Sequence, residues 1–232
     1  MSDFQYMGTE LEIFAHAKHW KSYMQSKLRP YLVGEVLEVG AGIGGTTRAL
    51  NDGRQRRWVC LEPDAEFAKK IGALPHLENC EVVLGMLPDI SPEEKFDTIL
   101  YIDVLEHILE DKNELAVAAQ HLNPNGVIVV LAPAFPWLYT AFDRAIGHFR
   151  RYTRKSLRAI APKGLREENC IYLDSFGLLA SAGNMLFLQA SNASAGQMRF
   201  WDNYLVPISR FMDPVLGFSV GRSLLAIWRK PS

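Results

Sequence analysis

Short apolar runs alternate with helical patterns along the chain up to Ala132. The apolar runs are rich in β-branched residues and are bounded by turn-forming residues, as strands are. Short strands separated by helices indicate a parallel sheet built from βαβ units, and right-handed crossovers place helices on both of its faces. The predicted strands are 35–39, 57–61, 81–84, 97–102 and 127–132, and the predicted helices are 45–50, 64–71 and 111–122.

The chain before the first strand has a helical pattern of its own. Apolar residues that include Leu11, Phe14 and Leu28 recur at roughly helical spacing over residues 10–31. This spacing predicts an amphipathic helix that ends near Pro30. We therefore expect residues 1–31 to form an N-terminal helical cap.

The second half of the chain follows a different order. Pro133 opens a long connection, a helix is predicted to begin near Thr153, and strands are predicted at 168–173 and 223–228. Between these two strands lies an apolar segment, 175–218, which we interpret as a helical insertion. An insertion of that size in a compact domain is usually functional or structured.

The apolar insertion has no charged residue from Ser175 to Met198. A membrane-spanning helix needs about 20 predominantly apolar residues, and Asn184, Gln189 and Asn192 interrupt this stretch, so it is not expected to span. Three roles stay open: a lid or wall of a substrate pocket, the face of a homodimer, or a surface in peripheral contact with a membrane. We favour the lid or pocket wall.

Composition and charge narrow the class of protein. With 232 residues, 48% of them hydrophobic and 22% charged, the chain suits a single globular domain over 1–232. The net charge of -1 offers no general attraction to nucleic acid, so no nucleic-acid partner is expected. The three cysteines lack zinc-type spacing, and no metal site is predicted. The N-terminus lacks a signal-peptide pattern, which predicts a cytoplasmic location.

A glycine-rich turn after the first predicted strand is the leading candidate for a nucleotide site. Gly40, Gly42 and Gly45 satisfy G-x-G-x-x-G, a spacing that also serves dinucleotides. Glu38 precedes the turn, and its carboxylate would repel a pyrophosphate but attract the ammonium and sulfonium groups of S-adenosylmethionine. The turn is thus predicted to hold S-adenosylmethionine, with a nicotinamide-dependent oxidoreductase as the alternative.

Acidic residues follow two further predicted strands. Glu62 comes directly after the second strand, where a carboxylate can accept hydrogen bonds from ribose hydroxyls. Asp103, Glu106 and His107 follow the fourth strand, and ligands bind at the carboxyl ends of parallel strands. Asp103 is the favoured contact for cofactor or substrate, whereas His107 at a helix start is more often structural.

Together these motifs resemble the class I S-adenosylmethionine-dependent methyltransferases. The resemblance rests on Glu38-x-Gly40-x-Gly42-x-Gly44, Glu62, the run Asp103-Val104-Leu105-Glu106-His107 and the run Leu122-Asn123-Pro124-Asn125-Gly126. It implies a Rossmann-like α/β fold with a mostly parallel seven-stranded sheet. The implied strand order is 3-2-1-4-5-7-6 with strand 7 antiparallel, which makes 223–228 the seventh strand.

The same resemblance implies which residues hold the cofactor. The turn at Gly40, Gly42 and Gly44 would hold the methionine moiety, and Glu62 with Pro63 would hold the ribose. The adenine would lie against Met86 and Leu87, where many relatives carry an acidic residue instead. Asp103 would contribute from the fourth strand, and the product would be S-adenosylhomocysteine.

The run Gly147-His148-Phe149-Arg150-Arg151-Tyr152-Thr153 resembles a subgroup of these methyltransferases, the type 11/12 enzymes. Members of that subgroup often accompany glycosyltransferases or small-molecule biosynthesis. Arg150 and Arg151 would supply bidentate donors to a phosphate or carboxylate of the substrate. His148 is a further candidate base because its ordinary pKa is near neutrality. The predicted substrate contacts are Tyr101, Trp137, Arg150, Arg151 and Tyr152.

The sequence therefore predicts an enzyme that transfers a methyl group by in-line displacement. The candidate bases are Asp103, His107 and His148, and alignment of the reactants would supply most of the rate. The expected acceptor is a small molecule or a lipid- or saccharide-linked group, either anionic or apolar. A protein that binds S-adenosylmethionine or associates with lipid without catalysis is the second alternative.

Overall fold

The computed structural model describes residues 16–75, 78–183 and 195–232. Its strands form one seven-stranded sheet in the order β3-β2-β1-β4-β5-β7-β6, and β7 runs antiparallel to both of its neighbours. The predicted fold class and strand order are thereby confirmed. The strands are β1 (Glu35–Val39), β2 (Arg57–Glu62), β3 (Cys80–Leu84), β4 (Phe96–Ile102), β5 (Leu122–Pro133), β6 (Arg166–Leu173) and β7 (Ser223–Arg229).

The predicted strand boundaries agree closely with the structure except at β5. This strand begins at Leu122, which pairs with Phe96 before the register becomes irregular. Asn125 there adopts a φ of 64°, and the side-chain amide of Asn123 donates to Asp97 at 2.9 Å. The Asn-Pro-Asn-Gly run is therefore a local irregularity inside an extended segment. Its residue types by themselves predict a loop.

The helices follow the predicted order, with shorter ends in places. Asp64 accepts hydrogen bonds from the amides of Glu66 and Phe67, and Thr153 accepts one from the amide of Ser156, so both act as helix N-caps. The described helices are α1 (Lys18–Leu28), α2 (Thr47–Leu50), α3 (Ala65–Gly72), α4 (Asp111–Gln120), α5 (Ala141–Ala145), α6 (Arg154–Ala159), α7 (Ser175–Gly183), α8 (Ala195–Phe200) and α9 (Val206–Val215), with a π-helical turn at Trp201–Leu205 between the last two.

The sheet separates two hydrophobic cores. Side chains alternate along a strand, so Leu37 of β1 faces the core under α4 and α6 while Val36 faces the core under α1 and α3. Glu38 shares its face of β1 with Val36. The sequence of one strand thus places an acidic residue among apolar ones beneath α1 and α2.

The N-terminal helix is joined to the C-terminal helices by buried acids. The carboxylate of Asp202 accepts hydrogen bonds from the amides of His19 at 3.2 Å and Trp20 at 2.9 Å, at the start of α1. Tyr23 donates its hydroxyl to Asp213 of α9 at 2.8 Å. The described part of the predicted cap thus packs against the described part of the predicted insertion.

Parts of both predictions lie outside the described residues. Leu11 and Phe14 precede residue 16, and the middle of the insertion falls in 184–194. In the part of the chain that the structure describes, no helix combines the length and apolar character needed to cross a membrane. The side chains of Phe200, Tyr204, Ile208, Phe211 and Val215 form a row of exposed apolar positions along α8, the π-helical turn and α9.

Candidate active site

The glycine turn after β1 needs glycine at three positions. Gly40, Gly42 and Gly44 adopt φ values of 67°, 58° and 74°, whereas Gly45 is not among the residues with positive φ. A side chain at Gly40 would also place its Cβ 2.7 Å from Cγ2 of Val104, beside β4. The spacing that the backbone requires is therefore G-x-G-x-G rather than G-x-G-x-x-G.

Four amides of this turn donate to acceptors within the protein. The amides of Gly40 and Ala41 donate to the Leu61 carbonyl at 2.8 and 3.2 Å, and that of Gly44 donates to the Ala41 carbonyl at 3.0 Å. The Gly42 amide donates to Oε2 of Glu62 at 2.7 Å. A pyrophosphate is held by free amides, so these four amides are not available to one.

Glu38 lies beneath the turn rather than at its surface. Its Oε2 accepts hydrogen bonds from the Thr47 hydroxyl at 2.7 Å and from the Trp58 indole at 2.9 Å. Burial raises the pKa of Glu38 to about 7, although these hydrogen bonds and the charge of Lys21 oppose the change. The carboxyl group ties β1, β2 and α2 together, and a nearby cation would favour its ionised form.

Glu62 closes the other side of the turn. It is buried, and its two oxygens accept hydrogen bonds from the amides of Gly42 and Asp64 at 2.7 and 2.9 Å. Burial raises the pKa of Glu62 above its ordinary value. An ionised carboxylate has about four acceptor positions, so it can hold both amides and still accept from a ligand hydroxyl.

The segment after β3 has an acidic residue that the sequence prediction missed. Met86 is exposed and Leu87 is buried. The carboxylate of Asp89 accepts a hydrogen bond from the Met86 amide at 2.8 Å and lies against Gly85. The segment therefore carries both an exposed apolar side chain and a carboxylate. The carboxylate belongs to Asp89, three positions after Met86, where the resemblance leads one to expect the acidic residue.

Asp103 follows β4 in a left-handed backbone conformation. Its φ is 53°, a region that few non-glycine residues adopt, and its amide donates to the Leu131 carbonyl at 2.8 Å. Water reaches the side chain, yet protein atoms surround it as they do in a cleft, and this burial raises the pKa of Asp103 to about 6. The positive charges of Arg222, His148 and Arg151 oppose that rise.

Glu106, His107 and His148 lie next to Asp103. One ligand-type atom of each side chain lies within 4.8 Å of the others, and Nε2 of His148 is 3.7 Å from Oε1 of Glu106. Glu106 is completely buried, and among residues 16–75, 78–183 and 195–232 neither of its carboxyl oxygens has a hydrogen-bond partner. Burial, followed by the charge of Asp103, raises the pKa of Glu106 well above its ordinary value.

Asp143 orients His148 within this group. Its Oδ1 lies 2.9 Å from Nδ1 of His148, and Arg151 donates to its two oxygens at 2.8 and 3.1 Å. Although burial opposes it, these hydrogen bonds hold the pKa of Asp143 below its ordinary value. The ionised carboxylate accepts a hydrogen bond from the N–H at Nδ1, so Nε2 of His148 faces Glu106.

The rings of the two histidines are in contact. The ring centroids of His107 and His148 are 4.6 Å apart in an edge-to-face arrangement. Burial, followed by the charge of His148, lowers the pKa of His107 to about 4, although a hydrogen bond with the Gly147 backbone opposes the change. His107 is therefore a neutral imidazole at neutral pH.

Two predicted substrate contacts need correction because their side chains are buried. Tyr101 is 0% exposed and donates its hydroxyl to Glu114 at 2.9 Å, inside the core. Tyr152 is 2% exposed and donates to Asp111 at 2.8 Å. Burial, together with the acidic partner, raises the pKa of both hydroxyls. Both residues support the site from behind rather than line it.

The two predicted arginines are also engaged internally. Arg151 makes its bidentate contact with Asp143, and Arg150 forms an ion pair with Asp111 at 2.7 Å while donating to the Leu109 carbonyl. Both side chains therefore already use donors within the protein, and their contact with a substrate stays a prediction. Trp137 is about half exposed, and its predicted contact with substrate stays open.

Arg222 is a charged residue that the sequence analysis did not single out. Its Nε lies 3.7 Å from Oδ2 of Asp174, and its guanidinium lies over the ring of Trp201 at 4.4 Å. Burial lowers the pKa of Arg222, and the charge of Asp103 opposes this change. Arg222 immediately precedes β7, so only the antiparallel return of that strand brings it near Asp103.

Comparison with known proteins agrees with this geometry. Residues 37–128 match the model of a family described as a methyltransferase domain. No curated protein matches the chain in sequence. The matched segment runs from β1 into β5 and contains the glycine turn, Glu62, Asp103 and the first two residues of the Glu106–His107–His148 group.

Solved structures share the whole fold at low sequence identity. The N-methyltransferase NodS from Bradyrhizobium japonicum in complex with S-adenosyl-L-homocysteine is 16% identical, with a TM-score of 0.59 over 93% of this chain and 86% of that one. A chain from a complex with the Haloferax volcanii Trm112 methyltransferase activator is 15% identical, with a TM-score of 0.63 over 97% and 95%. An S-adenosylmethionine-dependent methyltransferase from Clostridium acetobutylicum is 10% identical, with a TM-score of 0.58 over 93% and 92%.

The family match and the sheet order point to the same class. Residues 37–128 carry the methyltransferase domain, and β6 and β7 complete its seven-stranded sheet. The cofactor of that class is S-adenosylmethionine, and one of the similar structures holds S-adenosyl-L-homocysteine. Residues 37–128 match a methyltransferase-domain family, and the chain has the fold of the class I S-adenosylmethionine-dependent methyltransferases.

Proposed function

We propose that this enzyme methylates a small-molecule acceptor that binds between the glycine turn and the Asp103–Glu106–His107–His148 region. The observation that carries the proposal is the position of Asp103, a solvent-accessible acid in a left-handed conformation just after β4. Across the Gly40–Val104 contact it adjoins the turn that would hold the methyl donor. The acceptor and donor would thus meet at the carboxyl edge of the sheet.

The proposed donor contacts follow the strand ends. The glycine turn would hold the methionine moiety, Glu62 with Pro63 the ribose, and Met86 with Leu87 the adenine. The two acids near the turn, Glu38 and Glu62, support a cationic ligand, since an ionised carboxylate near the sulfonium lowers its energy. Because Glu38 is bonded to Thr47 and Trp58, we assign it an indirect role through the turn.

The transfer would be a single in-line displacement. The acceptor's nucleophile forms a bond to the methyl carbon while the carbon–sulfur bond breaks and its electron pair stays on sulfur, which gives S-adenosylhomocysteine. Alignment of donor and acceptor contributes most of the rate. Asp103 is the first candidate to accept a proton from the acceptor, because at neutral pH a group with a pKa of about 6 is mostly ionised.

The charged groups near the cleft favour an acceptor with an anionic group. Arg222 stacks on Trp201 and has a single carboxylate, Asp174, within salt-bridge distance among the described residues. A phosphate or carboxylate on a saccharide- or lipid-linked acceptor would suit such a cation. Cytoplasmic location, a biosynthetic role, homodimer formation and membrane contact through the insertion stay predictions.

Calorimetry with S-adenosylhomocysteine and with NADH tests the donor site. We expect S-adenosylhomocysteine to bind and NADH not to bind, and binding of NADH alone would contradict the assignment. The acceptor is tested by incubating the enzyme and S-adenosylmethionine with fractionated cell extract and searching by mass spectrometry for compounds that gain one methyl group. Donor binding without any methylated product, in extracts that support a control methyltransferase, would favour the non-catalytic alternative.

A further inference from the structure

Three side chains beside the proposed acceptor site have the composition of a metal centre. Glu106 and His107 follow β4, and His148 reaches them from the loop before α6. Two imidazoles and one carboxylate are the protein ligands of many catalytic zinc and non-haem iron sites. No spacing along the chain predicted this group, since the third member comes from a distant loop.

The Glu106 carboxyl group lacks the partners that a structural acid would have. It is completely buried, and in the part of the chain that the structure describes both of its oxygens are without a hydrogen-bond partner. A buried polar group without partners is destabilising, and its presence in a folded protein calls for an explanation such as an ion. The two imidazoles beside it offer the complementary ligands.

The histidines are held as metal-binding histidines commonly are. Nδ1 of His148 donates to the buried carboxylate of Asp143 at 2.9 Å, which leaves Nε2 directed toward Glu106. His107 has a hydrogen bond with the Gly147 backbone. Metal ligands usually have such a carboxylate or carbonyl partner on the second ring nitrogen, which fixes the ring orientation.

We propose that Glu106, His107 and His148 form a binding site for one divalent transition-metal ion. Ligand atoms of one tetrahedral zinc ion stand about 3.3 Å apart at bond lengths of about 2.0 Å. The 3.7 Å between His148 and Glu106 and the 4.8 Å limit for all three atoms therefore need only small side-chain shifts. Two imidazoles favour zinc, iron or cobalt over magnesium and calcium, which prefer oxygen ligands.

Three protein ligands leave at least one coordination position open to another group. Because the site adjoins Asp103, an oxygen of the acceptor could take that position, and this consequence rests on the proposed function. Binding of the ion itself does not depend on methyl transfer. The metal site can therefore fail while the methyltransferase assignment stands, and the reverse also holds.

The test is titration of the chelator-treated full chain with Co²⁺, followed by visible absorption, and with Zn²⁺, followed by calorimetry. We expect saturation at one equivalent. Glu106→Gln and His148→Gln should each weaken Zn²⁺ binding by more than about 100-fold, since loss of a supporting group alone costs about 10- to 100-fold. His19→Gln, at an exposed histidine on α1, is the matched control and should bind as the wild type does.

Thermal denaturation supplies a measurement that needs no variant. Zn²⁺ at saturating concentration should raise the Tm of the wild-type protein, because a ligand that binds only the folded state stabilises it, and Mg²⁺ at the same concentration should not. Variants are compared only if they melt cooperatively in chelator. The proposal is overturned by an unchanged Tm with Zn²⁺, or by equal Zn²⁺ affinity in the wild type and in the folded variants of Glu106 and His148.

Discussion

Asp213 and Glu106 are buried acids in two different regions of this protein, and their surroundings differ. Asp213 lies where α9 meets β6, and it accepts hydrogen bonds from Tyr23 and from the amides of Asp174 and Ser175 at 2.7 to 3.0 Å. Its neighbour Asp174 accepts from Ser209, Trp201 and the Gly177 amide. Glu106, in the cleft, is equally buried, but no described residue forms a hydrogen bond with either of its oxygens.

The difference separates acids that hold the fold from acids that await a ligand. A buried carboxylate with three donors connects the elements that supply those donors, here α1, α7 and the end of β6. A buried carboxyl group without donors connects no elements, and its burial costs desolvation free energy. A role other than stabilising the fold must explain its presence. Measurements of the free energy of unfolding in variants of both kinds of acid test this distinction.

The largest effect is expected from Asp213→Ala. The change leaves a tyrosine hydroxyl and two backbone amides buried without an acceptor, which should lower the free energy of unfolding by about 3–5 kcal/mol. Denaturation in urea, followed by circular dichroism, measures the loss. Glu106→Gln in chelator is the contrasting variant and should cost less than about 1 kcal/mol, because no hydrogen bond is lost. A similar loss of the free energy of unfolding in both variants would contradict the distinction between the two kinds of acid.

Glu38 is intermediate, since it is buried with two donors but its pKa is raised to about 7. Between pH 4.5 and 7 the unfolded chain releases this proton while the folded protein keeps it, so the free energy of unfolding falls as the pH rises and levels off above 7. This contribution amounts to about 3 kcal/mol.

The variant Glu38→Gln isolates that contribution, because glutamine can accept from Thr47 and Trp58 without titrating. The stability of the wild type relative to this variant should fall by about 3 kcal/mol from pH 4.5 to pH 7.5 in the absence of cofactor. Urea denaturation at several pH values measures the difference. A stability difference that does not vary with pH would mean that Glu38 titrates normally in the folded protein.

Glu62 combines both kinds of environment, since it holds two amides and is proposed to bind a ligand. Glu62→Gln should weaken S-adenosylhomocysteine binding by about 10- to 100-fold, because hydrogen bonds to a charged group contribute about 1.5–3 kcal/mol. Calorimetry measures the change, with Glu66→Gln on the exposed side of α3 as the control. Unchanged affinity in the Glu62 variant would remove its assigned role.

The smallest effect is expected at Tyr101. Tyr101→Phe removes one buried hydrogen bond to Glu114 and should lower the free energy of unfolding by about 1 kcal/mol. Methyl transfer should keep its kcat/KM, because the hydroxyl does not reach the cleft. A large loss of kcat/KM at unchanged stability would restore Tyr101 as a substrate contact.

The sheet and the identity of the donor could be predicted because their signals are local. Each strand from β1 to β5 is a short apolar run, and the motif residues Gly40, Glu62 and Asp103 stand directly at strand ends. The position of β7 followed from the resemblance. The exposed row on α8 and α9 was expected only as a general apolar insertion, and no local pattern says what covers it.

The acceptor side was predicted less well, because its side chains are chosen by distant partners. Arg151 was predicted to donate to a substrate, but its guanidinium donates to both carboxylate oxygens of Asp143. Tyr152 was placed in the cleft, but Asp111 and the core take its hydroxyl. A residue type shows what a side chain can bind, and only the packing shows whether that capacity is already used.

The sequence by itself determined the class of fold and the donor, since periodicity, glycine spacing and an acid at a strand end act over a few residues. The tertiary structure alone decided which polar groups stay unsatisfied. It buries the Glu106 carboxyl group without a hydrogen-bond partner among the described residues, and the Phe149 amide from the loop above donates to the Glu106 carbonyl at 2.8 Å. Whether a buried acid finds donors depends on every element packed around it, and that is information no short stretch of sequence contains.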